Sequence, residues 1–453
     1  MCFKRLKKAL CNCGRKKDNQ EPTSAAPSLS EMKTLIFGAG ASIPFFNPHL
    51  STSFLTSKIK DIAEWNRVIS IYKSKTNNSI ASASDIVKTI NDIISLMPQA
   101  NFEQIAEVVD KLSSYGFDQT PGNNMMNLII SVLQMEGALN KSNSSSILGA
   151  EWRDVPFIFR EIIAEAILDL EKSHRSSDYN LLLQKQKEFI RYVCSKTKKI
   201  NVTSFNYDDC VIDSLTGLDF ELGFYTVNNL YLRQMDMSKF MSAARTVCFP
   251  HGHLKFQLTD DDNVSFWHNS TAANQTRWDS INGMMLGSSM TVFPDTFAYN
   301  FNTFLTTGQT KDAALNHLPY AAYYQKLAAD LCQSDTVCII GYSFGDAHVN
   351  RLLRSFLKIN PNNTAFIIDY YPNPITMVDE YVTENHLLNK VHLVLGTDWQ
   401  IRVSPSGQKR PIDEEAVRAI NNNGYGEIFS QVVFYKKGYA AFLDEYKDVL
   451  HLS

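Results

Sequence analysis

Five short apolar runs, each halted by a glycine or a polar turn, constrain this chain more than any other feature. Lys33–Phe37 runs into Gly38, Ile200–Ser204 into Phe205-Asn206-Tyr207-Asp208, and Thr246–Phe249 into Pro250-His251-Gly252. Thr336–Ile340 runs into Gly341-Tyr342-Ser343, and Ala365–Ile368 into Asp369. Short, nearly continuous apolar runs of this kind read as strands buried on both faces. Helical periods at about 319–332 and 346–358 flank the fourth run, giving helix–strand–helix–strand order from about 319 to 368. That order predicts an α/β fold: a Rossmann-like parallel sheet with helices on both faces.

At 453 residues the chain is too long for one small core, so insertions or further domains are expected. Between the first two strands, about 58–198, the pattern becomes helical and predicts a large helical insertion. Ile86, Ile90, Ile93, Ile94 and Met97 share one face there, as do Phe102, Ile105, Val108, Val109 and Leu112. Residues 155–172 and 179–195 read as two more helices. The predicted organisation is a basic tail and linker at 1–31, a nucleotide-binding domain at 32–372 and a C-terminal extension at 373–453. That extension carries a strand at Val391–Leu395 and a helix at Tyr439–Leu450.

Charge and cysteine usage exclude several classes. A net charge of −3 gives no strong nucleic-acid signal over the whole molecule. No apolar run approaches the ~20 residues that span a bilayer. The eight cysteines are scattered without paired Cys-x-x-Cys spacing, and no secretory signal is evident, which predicts reduced thiols, no metal and a cytoplasmic location. The tail carries Lys4, Arg5, Lys7, Lys8, Arg15, Lys16 and Lys17 with no acidic residue up to position 17. It suits a weak contact with anionic membrane, with Cys2 open to lipidation, although a solvated tail is the preferred reading.

Chemistry gathers where the runs end. A Gly-x-Gly turn between strand and helix lets backbone approach a pyrophosphate, which Gly38, Ala39 and Gly40 could do while Ser42 donates a hydroxyl. Ile43 stands where a third glycine would complete the dinucleotide fingerprint, so a tight turn without ligand is an open alternative. Asn206 and Asp208 are two apart and would share one side of an extended segment; Asp208 could equally serve an Asx turn. His251 lies between Pro250 and Gly252 in a rigid, close-approach turn. His253 could join it in a metal pair, but no third ligand lies near in sequence. Gly341 and Ser343 could hold phosphate or ribose, with Asp346 as a helix N-cap. Asp369 is either a ribose ligand or a loop aspartate.

Taken in order, GAGAS at 38–42, TSFNYD at 203–208, PHG at 250–252 and GYSFGDAHVN at 341–350 resemble the sirtuin family. The likeness is to its divergent bacterial branch of NAD hydrolases used in antiphage defence. The segment from Leu305 to Leu327, with Lys311 and Tyr323–Tyr324, is similar to that family's approach to its last core strands. The resemblance implies that NAD is the substrate, that Asn206 orients the nicotinamide ribose or a water, that Asp208 lies near the carboxamide, and that His251 is the general base. It also implies an oligomer and an activating protein partner or phage component. Protein-deacylating sirtuins carry a four-cysteine zinc module that this chain lacks, which favours water as acceptor. Protein deacylation and a non-catalytic nucleotide sensor or assembly module remain the alternatives.

Overall fold

The protein is described by a computed structural model covering residues 30–76, 80–115, 152, 154–226, 233–258, 264–266, 318–375, 377–378, 382–383, 390–391, 394–395, 414–429 and 431–450. The basic tail, Cys2 and Lys311 lie outside the described residues.

All five apolar runs are strands: β1 (Ser30–Phe37), β2 (Thr197–Ser204), β3 (Arg245–Cys248), β4 (Thr336–Ile340) and β5 (Thr364–Ile368). Two later strands, β6 (Tyr425–Phe429) and β7 (Val432–Tyr435), complete a seven-stranded sheet in the order β6-β7-β5-β4-β1-β2-β3. Every pairing is parallel except the β6–β7 hairpin. The first five strands therefore run 3-2-1-4-5 across the sheet, and the direction of winding reverses between β1 and β4. Ligands of open α/β sheets bind outside the strand ends at such a switch point.

Register fixes what emerges at that edge. Phe37 is opposite both Ser204 and Ile340, and Ile340 is opposite Ile368. The residues that follow, Gly38, Phe205, Gly341 and Asp369, consequently leave the sheet at one level.

Side chains alternate between two cores, as strand geometry requires. Leu35, Phe37, Cys338 and Ile340 face one, and Ile36, Val337 and Ile339 the other. Between β1 and β2 lie α1 (Ala39–Ser42), α2 (Thr52–Ile59), α3 (Ile62–Lys75), α4 (Ala83–Leu96), α5 (Phe102–Tyr115), α6 (Val155–Ser173) and α7 (Tyr179–Cys194). Fifteen of the nineteen residues of α6 are buried. A helix apolar on nearly every side must sit centrally, and α6 packs against α2, α3 and α5. Arg160 of α6 donates to both carboxylate oxygens of Asp110 on α5, at 2.9 and 2.7 Å, which pins α5 in orientation.

After β2 come α8 (Cys210–Leu215), α9 (Met237–Ser242), α10 (Tyr320–Gln333), α11 (Ala347–Ile359), α12 (Glu414–Asn423) and α13 (Tyr439–Leu450). Helices α7 and α13 line the first core, while α11 and one side of α10 line the second. The final helix matches the expectation. Val391–Leu395, expected as a strand, is instead helical at its described positions 391, 394 and 395. Val391, Val394 and Leu395 are all buried, and their i, i+3, i+4 spacing is that of one helical face. No helix among the described residues is long and apolar enough to cross a membrane.

Candidate active site

The turns after β1 and β4 interlock backbone to backbone. Gly38 N–H donates to Ile340 O at 2.8 Å, and Gly40 N–H donates to Gly341 O at 2.9 Å. A Cβ on Gly38 would lie 2.6 Å from Gly341 O, and one on Gly341 would lie 2.3 Å from Ala41 N. Gly341 also has φ +59, a left-handed conformation that L side chains rarely adopt. The glycines thus have a packing cause of their own at the switch point. The Gly40 N–H is already committed there, and Ala39 is exposed at the tip of the turn.

The β2 turn locks onto the β1 turn through side chains. Asn206 Nδ2 donates to Gly38 O at 2.9 Å and to Ser42 Oγ at 2.8 Å. Ser42 Oγ donates in turn to Asp208 Oδ2 at 2.6 Å, and Asp208 Oδ1 accepts from Cys210 N–H at 3.0 Å. Both the Ser42 hydroxyl and the Asp208 carboxylate, expected to meet ligand, are therefore engaged with protein, and the Asx turn is present. Asn206 is 5% exposed, and its Oδ1 has no hydrogen-bond partner among the described residues. With both amide hydrogens placed on protein acceptors, the carboxamide orientation follows from the network.

His251 is brought to the same sheet edge by β3, which pairs with β2. Its Nε2 lies 3.0 Å from Asp346 Oδ2, with side-chain exposures of 7% and 3%. Tyr324 OH on α10 donates to the same Oδ2 at 3.1 Å. Asp346 Oδ1 accepts from His348 N–H at 2.9 Å and Val349 N–H at 3.2 Å, so the expected N-cap of α11 exists. The Phe205 ring meets the His251 ring edge-on, with centroids 4.7 Å apart, and also touches Tyr342. Phe205 immediately precedes Asn206, so one aromatic side chain links the asparagine turn to the histidine turn.

Electrostatics behind the asparagine turn are dominated by burial of acids. Desolvation raises Asp208 above the usual carboxylate range, while hydrogen bonds from Ser42 and Cys210 pull the other way. Desolvation, then the charge of Asp209, pushes Glu171 well up; its Oε1 accepts from Asp209 N–H at 2.7 Å. Lys255 lies 3.1 Å from Asp209. His253 is buried here and does not join His251. Its Nε2 contacts Asp208 O at 3.1 Å while Nδ1 accepts from Lys255 N–H at 3.2 Å. That pattern makes it the neutral Nε2–H tautomer, and burial lowers it to about 4. Among the described residues no three His, Cys, Asp or Glu side chains are grouped to hold a metal ion.

Two expected binding residues stand apart from this network. Ser343 is exposed beyond Gly341. Asp369 leaves β5 beside Gly341, where its Oδ1 accepts from Tyr370 N–H at 2.6 Å, and burial pushes it up to about 6. Three residues near the site were not anticipated in their present roles. Asp346 holds a histidine as well as a cap, Tyr324 supports it, and Glu103 at the start of α5 accepts from Tyr207 OH at 3.0 Å. Asp346 carried a signal as the acidic residue closing the 341–346 motif, and Tyr324 only through the family likeness of the 305–327 segment.

No curated protein matches this chain. Residues 295–393 match the family model described as a SIR2-like domain. The described part of that match contains α10, β4, the Gly341–Asp346 turn, α11 and β5, the half of the switch point that holds Asp346 against His251. The sheet is mostly parallel and wound 3-2-1-4-5, and the match over residues 295–393 supports a sirtuin-like, NAD-related family.

Proposed function

We propose that this protein is an NAD glycohydrolase that cleaves its substrate NAD to nicotinamide and ADP-ribose. The observation carrying the reading is the buried Oδ1 of Asn206, unpartnered among the described residues while both Nδ2 hydrogens are used. Leaving such an acceptor buried costs about 1–3 kcal/mol, so a donor belongs there. A ribose hydroxyl or a water meets that need.

NAD supplies a sugar carbon joined to a cationic ring that leaves as a neutral group, so no general acid is required. Asn206 holds a hydroxyl or the attacking water in place, and Ser42 with Asp208 keeps the carboxamide from turning. His251 takes the proton from that oxygen, a role imidazole can fill near neutral pH. Asp369, at the same edge, would hold the hydroxyls of the other ribose. Gly38, Ala39, Gly40, Gly341 and Ser343 would line the phosphates between them. Depletion of NAD during phage infection, in the cytoplasm, is the role that the motif order supports. An enzyme of this kind must be held inactive, which favours an oligomer and an activating partner or phage component.

The test is product stoichiometry. Purified protein is incubated with NAD, with and without lysate of infected cells and with an acylated peptide added. Nicotinamide and ADP-ribose should appear one to one while the peptide stays intact. Peptide consumed in step with NAD would assign a deacylase instead. NAD that binds but survives every trigger would leave a nucleotide sensor.

A further inference from the structure

We infer that Asp346 is a positioning residue for His251: it holds the imidazole as the Nε2–H tautomer and makes Nδ1 the nitrogen that accepts a proton. This deepens the proposed hydrolysis and rests on that reading for its catalytic consequence. A carboxylate only accepts hydrogen bonds, so the 3.0 Å contact between His251 Nε2 and Asp346 Oδ2 places the ring proton on Nε2.

The carboxylate cannot swing away. Its Oδ1 is clamped by the first two backbone N–H groups it caps, at His348 and Val349. Its own backbone N–H donates to Tyr342 OH at 3.2 Å. A simple N-cap needs one oxygen and sits in water. Here the second oxygen is buried and shared by His251 and Tyr324. Helix α11 is thereby tied to the histidine turn across 95 residues of chain.

The titratable groups around this pair come from several elements. Tyr324 from α10 and Tyr342 from the β4 turn both feel Asp346, and Glu103 from α5 acts on both phenols. Tyr207, held by Glu103, and His348 on α11, whose ring meets Tyr324 with centroids 6.4 Å apart, belong to the same group. An acceptor carboxylate favours the protonated ring, so removing it should make the imidazole easier to deprotonate.

The experiment uses full-length protein with 15N-labelled histidine, the His251 signals being assigned by His251→Gln. Wild type should show Nε2 protonated and Nδ1 unprotonated above the titration. In Asp346→Asn, which keeps an oxygen for the cap, the His251 midpoint should fall by about one pH unit. In Tyr324→Phe, which removes a donor from Oδ2 and leaves more charge for the ring, it should move less and upward. With NAD, the acid limb of the kcat profile should follow each shift. For Asp346→Asn, kcat should fall about tenfold or more while KM changes little.

If the substitutions lower only the melting temperature, with tautomer, midpoint and acid limb unchanged, Asp346 is merely a cap and the inference is wrong. If wild type leaves NAD intact yet the spectroscopic shifts occur, the hydrolase reading fails and the positioning role stands. Should Asp346→Asn not fold, the upward shift in Tyr324→Phe decides alone.

Discussion

Ser42 and Asp208, 166 residues apart in the chain, are joined by a hydroxyl–carboxylate hydrogen bond of 2.6 Å. That bond ties the turn after β1 to the turn after β2, and Asn206 donates into it from above at 2.8 Å. The site's stiffness therefore comes from contacts between turns, each carried by a different strand of one sheet.

Ser42→Ala should remove the hydroxyl donor to the Asp208 carboxylate, which Cys210 N–H also meets, and one acceptor of Asn206. With both groups buried, unfolding free energy should drop by about 1–3 kcal/mol in a urea titration. Nicotinamide release should fall with it, because Asn206 is freed to turn. Unchanged stability would mean that the three side chains are not coupled.

Gly341→Ala should be worse. The new Cβ would collide with Ala41 N and with the Gly40 main chain in a backbone with φ +59, and these are main-chain atoms that cannot step aside. A loss of about 3 kcal/mol or more is expected from denaturation, or no soluble protein. A loss under about 1 kcal/mol would show that the two turns do not interlock.

The strands and their turns were legible because β-branched, apolar runs such as Thr336–Ile340 have no competing helical period. Val391–Leu395 failed on that very point: its apolar positions 391, 394 and 395 satisfy a helical face as well as a strand. The β6–β7 hairpin escaped notice because Gly426 and Glu427 interrupt the apolar run in β6. At the site, the sequence placed Asn206 and His251 on one sheet edge but could not pair His251 with Asp346 or Ser42 with Asp208. Those contacts depend on strand order, which local pattern does not encode. Glu103, beside Phe102 in a helical run, carried no signal of its own, since nothing in its neighbourhood points toward Tyr207.

Tyr207→Phe should separate the helical segment from the site. It removes the donor to Glu103 but keeps the ring that meets Phe102 at 6.4 Å. Stability should fall by about 1 kcal/mol. If α5 helps set the turn that bears Asn206, turnover should drop by more than that stability loss explains; turnover equal to wild type would confine α5 to support.

Asp369→Asn gives a pH-dependent effect with a definite sign. Burial raises Asp369 from the model-compound value of 3.8 to about 6, so the folded state keeps a proton that the unfolded chain releases earlier. Its contribution to stability is full below about 3.8 and is lost as pH rises through about 6. Asn cannot ionise, so the variant should gain up to about 2 kcal/mol over wild type near pH 7, allowing for partial exposure, and little at pH 4. Parallel denaturation curves at the two pH values would contradict this.

The most direct test of the central claim is nicotinamide release from NAD by wild type, Asn206→Ala and His251→Ala under activating conditions, with melting curves run alongside. Wild type should release nicotinamide, while both variants lose at least about a hundredfold in rate and keep stability within about 1–2 kcal/mol. Folded variants that turn NAD over at the wild-type rate would contradict the account.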